Sequence, residues 1–117
     1  MCIRDRAWAQ ARPDTLQAVL RALLHALAWA DAPQNRAALA DLLARPEHVG
    51  VSPDAIAAGL THIAFRRDGA SRPEPAQAVW LLEQMRRWGQ IAPDSATAAV
   101  ADAVYRPDLH DLAAADA

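Results

Sequence analysis

The chain has 117 residues, 53% of them hydrophobic and 22% charged, with 12 basic side chains against 14 acidic ones and a formal net charge of −2. That length suits one domain. The slight acidity gives no footprint for nucleic acid, no apolar run approaches the ~20 residues of a membrane span, and one cysteine excludes an internal disulfide.

All 12 basic residues are Arg and about a quarter of the chain is Ala, a GC-rich coding bias from which no function follows. The first six residues, MCIRDR, are what the end of a widely used sequencing-library transposon encodes when read in frame. Residues 1–6, Cys2 included, are therefore expected to be a cloning or assembly scar, to be left out of fold reasoning. Residues 7–117 are the protein proper on that expectation, and the missing signal peptide then says nothing about export.

Residues 8–11 lead into a long first helix. Pro13 suits a first helical position, and Asp14 places negative charge where the helix dipole favours it. Leu16, Val19, Leu20, Leu23, Leu24 and Leu27 form a wide apolar stripe at helical spacing, with Gln17, Arg21 and His25 on the other side. The run Asp31-Ala32-Pro33 breaks the pattern. A second helix is predicted over 34–44, with Leu39, Leu42 and Leu43 buried and Pro46 forcing Arg45 out of the helical region.

Ser52-Pro53-Asp54 is a cap followed by a first-turn proline, opening a short helix with Ile56 and Leu60. Residues 61–66 alternate weakly and read as a possible extended segment, and 67–75, RDGASRPEP, as surface turns. Pro73 or Pro75 then opens the most informative stretch, 78–90, AVWLLEQMRRWGQ. Ala78, Leu81, Leu82, Met85 and Trp88 predict a buried face, Trp80, Gln84 and Arg87 a second face, and Gly89 a left-handed stop. Asp94 reads as the cap of a further helix over 95–104, with Val100, Ala103 and Val104 inward. After Tyr105-Arg106-Pro107-Asp108, residues 109–112 make a last turn or two. Five or six helices and no strand pattern for a sheet predict an all-α piece.

No constellation carries chemistry. His25, His48, His62 and His110 lack metal-ligand spacing. The four glycines are isolated and make no phosphate loop, and Ser52, Ser71 and Ser95 read as caps and turns. Asp31, Asp41, Glu47 and Glu83 are spread over different elements, and Cys2 has no positioned His. Arg66 and Arg67 with Arg86 and Arg87 offer a basic patch for an anion, but Arg86 and Arg87 fall in a last helical turn, where they complement the dipole. The four tryptophans, at helical spacing, read as packing rather than as a stacking platform. The expectation is a protein that is not an enzyme, with no metal and no cofactor.

The run W-x-x-x-Q-M-x-R-W-G-Q, Trp80 to Gln90, resembles a signature near the C-terminus of the nitrate- and bicarbonate-binding proteins of bacterial ABC importers, with their nitrate-sensing relatives. The likeness extends over about residues 8–114. The run W-A-x-x-x-P-x-T-L-x-A-V-L-R-A-L-L from Trp8, with the following A-W-x-D, resembles that family's long C-terminal helix. Residues 33–51, P-x-N-R-A-x-L-A-x-L-L-A-R-P-E-x-x-G-V, resemble its next segment, and 104–109, V-Y-R-P-D-L, its closing motif. Importer members carry an aromatic-Pro-Trp-basic-Ser run just before the signature. Arg72, Pro73, Glu74, Pro75 and Ala76 depart from it, which leaves the nitrate-sensor branch open.

The resemblance implies that this chain is the C-terminal part of a two-lobed α/β periplasmic binding protein, type II-like, that closes over a small oxyanion. It implies a substrate-binding component of an ABC importer for nitrate, nitrite, bicarbonate or a similar anion, with a permease as partner and a periplasmic location. The anion ligands are expected mostly upstream, so no ligand-binding residue is assigned here. The alternatives are a cytoplasmic nitrate sensor acting on a response regulator, and an independent helical interaction module.

Overall fold

The computed structural model describes residues 6–115. Most of the expected scar, with Cys2, lies outside the described residues. Within them every regular element is helical. Seven α-helices follow one another: α1 (Arg6–Ala11), α2 (Pro13–Asp31), α3 (Arg36–Leu43), α4 (Pro53–Leu60), α5 (Pro75–Arg87), α6 (Thr97–Val104) and α7 (Pro107–Ala115). Short 3-10 turns at Pro33–Asn35 and Arg67–Gly69 sit before α3 and after the α4 loop. The chain is an all-α piece, as its periodicity predicts.

The residues expected only to lead into the first helix form a helix of their own, α1. Helical bonding runs on across the join, with Arg12 N–H donating to Trp8 C=O and Leu16 N–H to Arg12 C=O, both at 3.0 Å. Pro13 has no N–H to give, so the interruption falls there. The Ser52 hydroxyl accepts from Ala55 N–H at 3.3 Å at the start of α4, the cap its sequence predicts. Asp94 does not cap α6. That helix begins after Ala96, which supplies no side-chain cap.

The described residues fall into two compact units, one made of 22–71 and the other of 6–21 with 72–115. In the 22–71 unit, Ala30, Leu39, Ala40 and Leu60 form a buried cluster, with Leu43, Ile56 and Phe65 packed against it. Burying a Leu side chain is worth about 1.5–3 kcal/mol, so Leu39 and Leu60 anchor this small core. Leu42, expected inside, is exposed. At 100° per residue it lies off the side shared by Leu39 and Leu43.

Residues 61–66 do not form an extended segment. The N–H groups of Thr61, His62 and Ile63 turn back onto Ala58, Gly59 and Leu60 carbonyls. Those of Phe65 and Arg66, with Arg67, go to the Asp31 carboxylate. The donors that a ladder needs are thus spent on tight turns and one side chain.

In the other unit the buried positions of α5, α6 and α7 are alanines: Ala78, Ala101 and Ala113. Small side chains let helices approach closely, but they leave the large ones on the rim. Leu81, Met85 and Trp88, predicted to be buried, are exposed, and so are Val100 and Ala103. In α2 likewise Leu16 and Leu24 are buried while Val19 and Leu23 are exposed. The apolar stripes are wider than the surface that covers them.

The end of α5 follows its sequence closely. Gly89, at φ 69°, is left-handed; its N–H donates to Arg86 C=O at 3.0 Å and Gln90 N–H to Met85 C=O at 2.8 Å. This crossed pair is the Schellman arrangement, which uses up two otherwise free helix-end carbonyls. A Cβ at Gly89 would meet nothing within 4 Å, so strain from the backbone alone decides its substitution. Gly89→Ala should lower stability by about 1–2 kcal/mol, read as a lower urea midpoint with unchanged slope.

Candidate functional site

Asp31 closes α2, where the negative end of the helix dipole disfavours a carboxylate. The fold answers with donors. Oδ1 accepts from Phe65 N–H at 3.1 Å, and Oδ2 from Arg66 N–H at 2.6 Å and Arg67 N–H at 2.7 Å. Arg36 adds its guanidinium at 3.6 Å, with the Asp31 side chain only 10% exposed. Burial pushes this carboxyl up, but the three backbone N–H groups and the Arg67 charge outweigh it and hold it at about 2.

Arg36 also donates to Leu60 C=O at 2.6 Å, satisfying a carbonyl at the end of α4, and Arg67 donates to Ile63 C=O at 3.1 Å. Arg36, Ala37, Ala57, Leu60, Thr61 and Arg67 line an open pocket of about 390 Å³. Both guanidiniums in it already serve carbonyls of this chain, which is structural work.

In the other unit Glu83 takes both oxygens to Arg86 Nη1, at 2.7 and 2.6 Å, and accepts from the Thr97 hydroxyl at 3.0 Å. Arg86 Nη2 donates to Ser95 C=O at 2.7 Å, so this node ties α5 to the start of α6, although the buried Arg86 Nε has no partner. Arg87 lies 5.9 Å from the Trp88 ring centre, a cation–π contact. Arg72 grips Asp111 of α7 with two bonds of 2.8 Å and also meets Glu74. The Arg72 hydrogen bonds, joined by one from His110, hold the Asp111 carboxyl at about 2, while Asp111 and Glu74 raise Arg72. Arg106 likewise lowers Asp108 through a side-chain hydrogen bond.

The arginines of the expected basic patch are thus engaged one by one, Arg66 and Arg67 in one unit and Arg86 and Arg87 in the other. Arg66 Nη1 reaches Leu24 C=O at 3.4 Å. His25, His48 and His62 are exposed, while His110 sits beside Asp111 at 3.1 Å. Among the described residues no group of three His, Cys, Asp or Glu stands ready for a metal. Sequence reasoning missed Asp31 as a hub. The signal available was an Asp at a helix C-terminus, the wrong end for it, followed by Pro33.

An open apolar groove of about 190 Å³ runs between α5 and α6, lined by Leu81, Leu82, Met85, Val100, Val104 and Tyr105 over a floor of Ala78 and Ala101. It takes up much of the face that the sequence marks for burial.

Comparison with known proteins gives one consistent result. The nitrate import ATP-binding protein NrtC of Synechococcus elongatus is 32% identical over 122 residues, covering 93% of this chain and 18% of that protein. The bicarbonate transport ATP-binding protein CmpC of Synechocystis sp. is 31% identical over 98 residues, 72% of this chain and 15% of that protein. The nitrate/nitrite binding protein NrtA of Nostoc sp. is 26% identical over 123 residues, 92% of this chain and 28% of that protein.

The chain is similar to nitrate and bicarbonate transport proteins. It spans less than a third of the length of these curated relatives. No protein-family model matches it, and no solved structure does.

The two carboxyls held at about 2 have an ordinary value of 3.8, so the stability they contribute is complete above about pH 4 and is lost as pH falls toward 2. Circular dichroism between pH 5 and 2 should show helix loss in that window. Asp31→Asn should lower the urea midpoint at pH 7 and flatten this acid dependence; an unchanged acid profile would contradict the role of Asp31.

Proposed function

We propose that this chain is a helical segment of a nitrate- or bicarbonate-transport component, one that builds and steadies a solute-binding part rather than catalysing a reaction. The observation that carries this is the pair of matches that each take in over nine-tenths of the chain, one to an ATP-binding protein and one to a nitrate/nitrite binding protein. Matches that broad must overlap, so the two relatives have a segment in common.

ATP binding is not what this segment would supply. Cradling the phosphates takes a glycine-rich loop running into a helix, with a lysine at its end. The four glycines here are isolated and the chain has no lysine. What the segment would supply instead is a binding-protein part. In the whole protein the anion would be held by residues outside this chain and captured by closure of two lobes, with a permease as partner. A substrate-binding component of that kind works at the periplasmic face.

A second reading has its own support. The ATP-binding relatives are the more similar, at 32% and 31% against 26% for the binding protein. On that reading the segment belongs to an ATP-binding component that carries a binding-protein-like part, and it works with the ATPase on the cytoplasmic side. The genomic reading frame upstream of Trp8 separates the two. A glycine-rich phosphate loop ending in lysine in the same frame favours the ATP-binding component; a continuous solute-binding sequence preceded by an export signal favours the other.

The isolated chain should show no saturable nitrate or bicarbonate binding by titration calorimetry. A micromolar isotherm for either would sink the view that the anion ligands lie outside it.

A further inference from the structure

The broadest feature left unused is the apolar surface of α5 and α6. Trp80, Leu81, Met85 and Trp88 are 62%, 47%, 37% and 74% exposed, and Val100 of α6 is 45% exposed. At 100° per residue the four side chains of the α5 stretch fall within about 140° of arc, with Met85 at the edge that opens into the α5–α6 groove. Two tryptophans flanked by Met and Arg are the composition of an interface centre, and folded proteins seldom leave large apolar patches wet.

The relatives point to what covers it. The NrtA match leaves out less than a tenth of this chain, fewer residues than the 13 of α5, so part of that helix lies inside the match. Yet the match takes in only 28% of NrtA. In that protein the corresponding segment is joined to a much longer polypeptide. A surface within one chain meets its partner at an effective concentration in the millimolar range and needs no separate affinity.

We propose that the α5–α6 surface is an intramolecular seam, on which the remaining polypeptide of a nitrate- or bicarbonate-transport component docks, with Trp80 and Trp88 as its anchors. This rests on the reading of the chain as a segment of such a component. The Arg87–Trp88 contact sits at its edge, and the alanine floor of the groove leaves room for side chains from the docking partner.

The test grafts this chain into the Nostoc nitrate/nitrite binding protein in place of its matched segment. Trp8→Phe and Trp29→Phe leave Trp80 and Trp88 as the reporters from this chain; the host's own tryptophans are replaced as well. In the folded graft their emission should shift to the blue, and acrylamide quenching should fall about threefold against the isolated chain, because an interface centre excludes water. Leu81→Asp in the graft should undo this, whereas Val49→Asp, at an exposed apolar position of the 22–71 unit, should not.

A folded graft whose Trp80 and Trp88 quench as in the isolated chain overturns the seam and leaves the segment reading standing. A graft that does not fold overturns both. An isolated chain that sediments as a dimer with these tryptophans already protected assigns the surface to a second copy and overturns the seam as well.

Discussion

A carboxylate at the C-terminal end of a helix is locally unfavourable, and the 22–71 unit depends on one. Asp31 stands where the dipole of α2 opposes it, and its stability comes from three successive backbone N–H groups of a loop more than thirty residues away in sequence. The arrangement satisfies both parties. The loop has no ladder to pair with, and its donors would otherwise need water; the carboxylate has lost most of its own water and needs donors. Because the bonds come from consecutive residues, they set the path of the backbone as well as its position. Phe65 is thereby placed against the Ala30–Leu60 cluster, and Arg36 bridges Asp31 to the end of α4.

The other unit is held by different means. Its helix contacts are built on Ala78, Ala101 and Ala113, which bury little apolar area each, and on polar ties at the edges. The Glu83–Arg86 node with Thr97 and Ser95 joins α5 to α6, and the Arg72–Asp111 fork joins the loop before α5 to α7. Exposed pairs of this kind contribute at most about 1 kcal/mol each. A unit with so much alanine inside and so much tryptophan, leucine and methionine outside has put its strongest hydrophobic contributors where only another surface can use them.

That imbalance bears on function. Several of the chain's charged groups are held by one another or by its own backbone, and several of its large apolar groups face outward. The similarity to proteins named for nitrate and bicarbonate transport fits the proposed role of a helical segment, since both binding and ATP-binding components of these systems match nearly the same residues.

Local rules were enough for the helices. Proline at the first turn of α2, α4, α5 and α7, Ser52 as a cap and Gly89 as a left-handed stop act within a few residues, so the sequence by itself determined the all-α class and most helix ends. The signature Trp80 to Gln90 likewise pointed to the transport proteins without any fold. Burial was another matter. Periodicity shows which face of a helix is apolar, but exposure depends on what lies opposite, and Leu42, Leu81, Met85, Trp88 and Val100 are left exposed among the described residues. The path of residues 61–67 was also decided only in three dimensions. A short apolar alternation is compatible with a strand or a turn, and it was the distant carboxylate of Asp31, claiming the N–H groups of Phe65, Arg66 and Arg67, that chose between them.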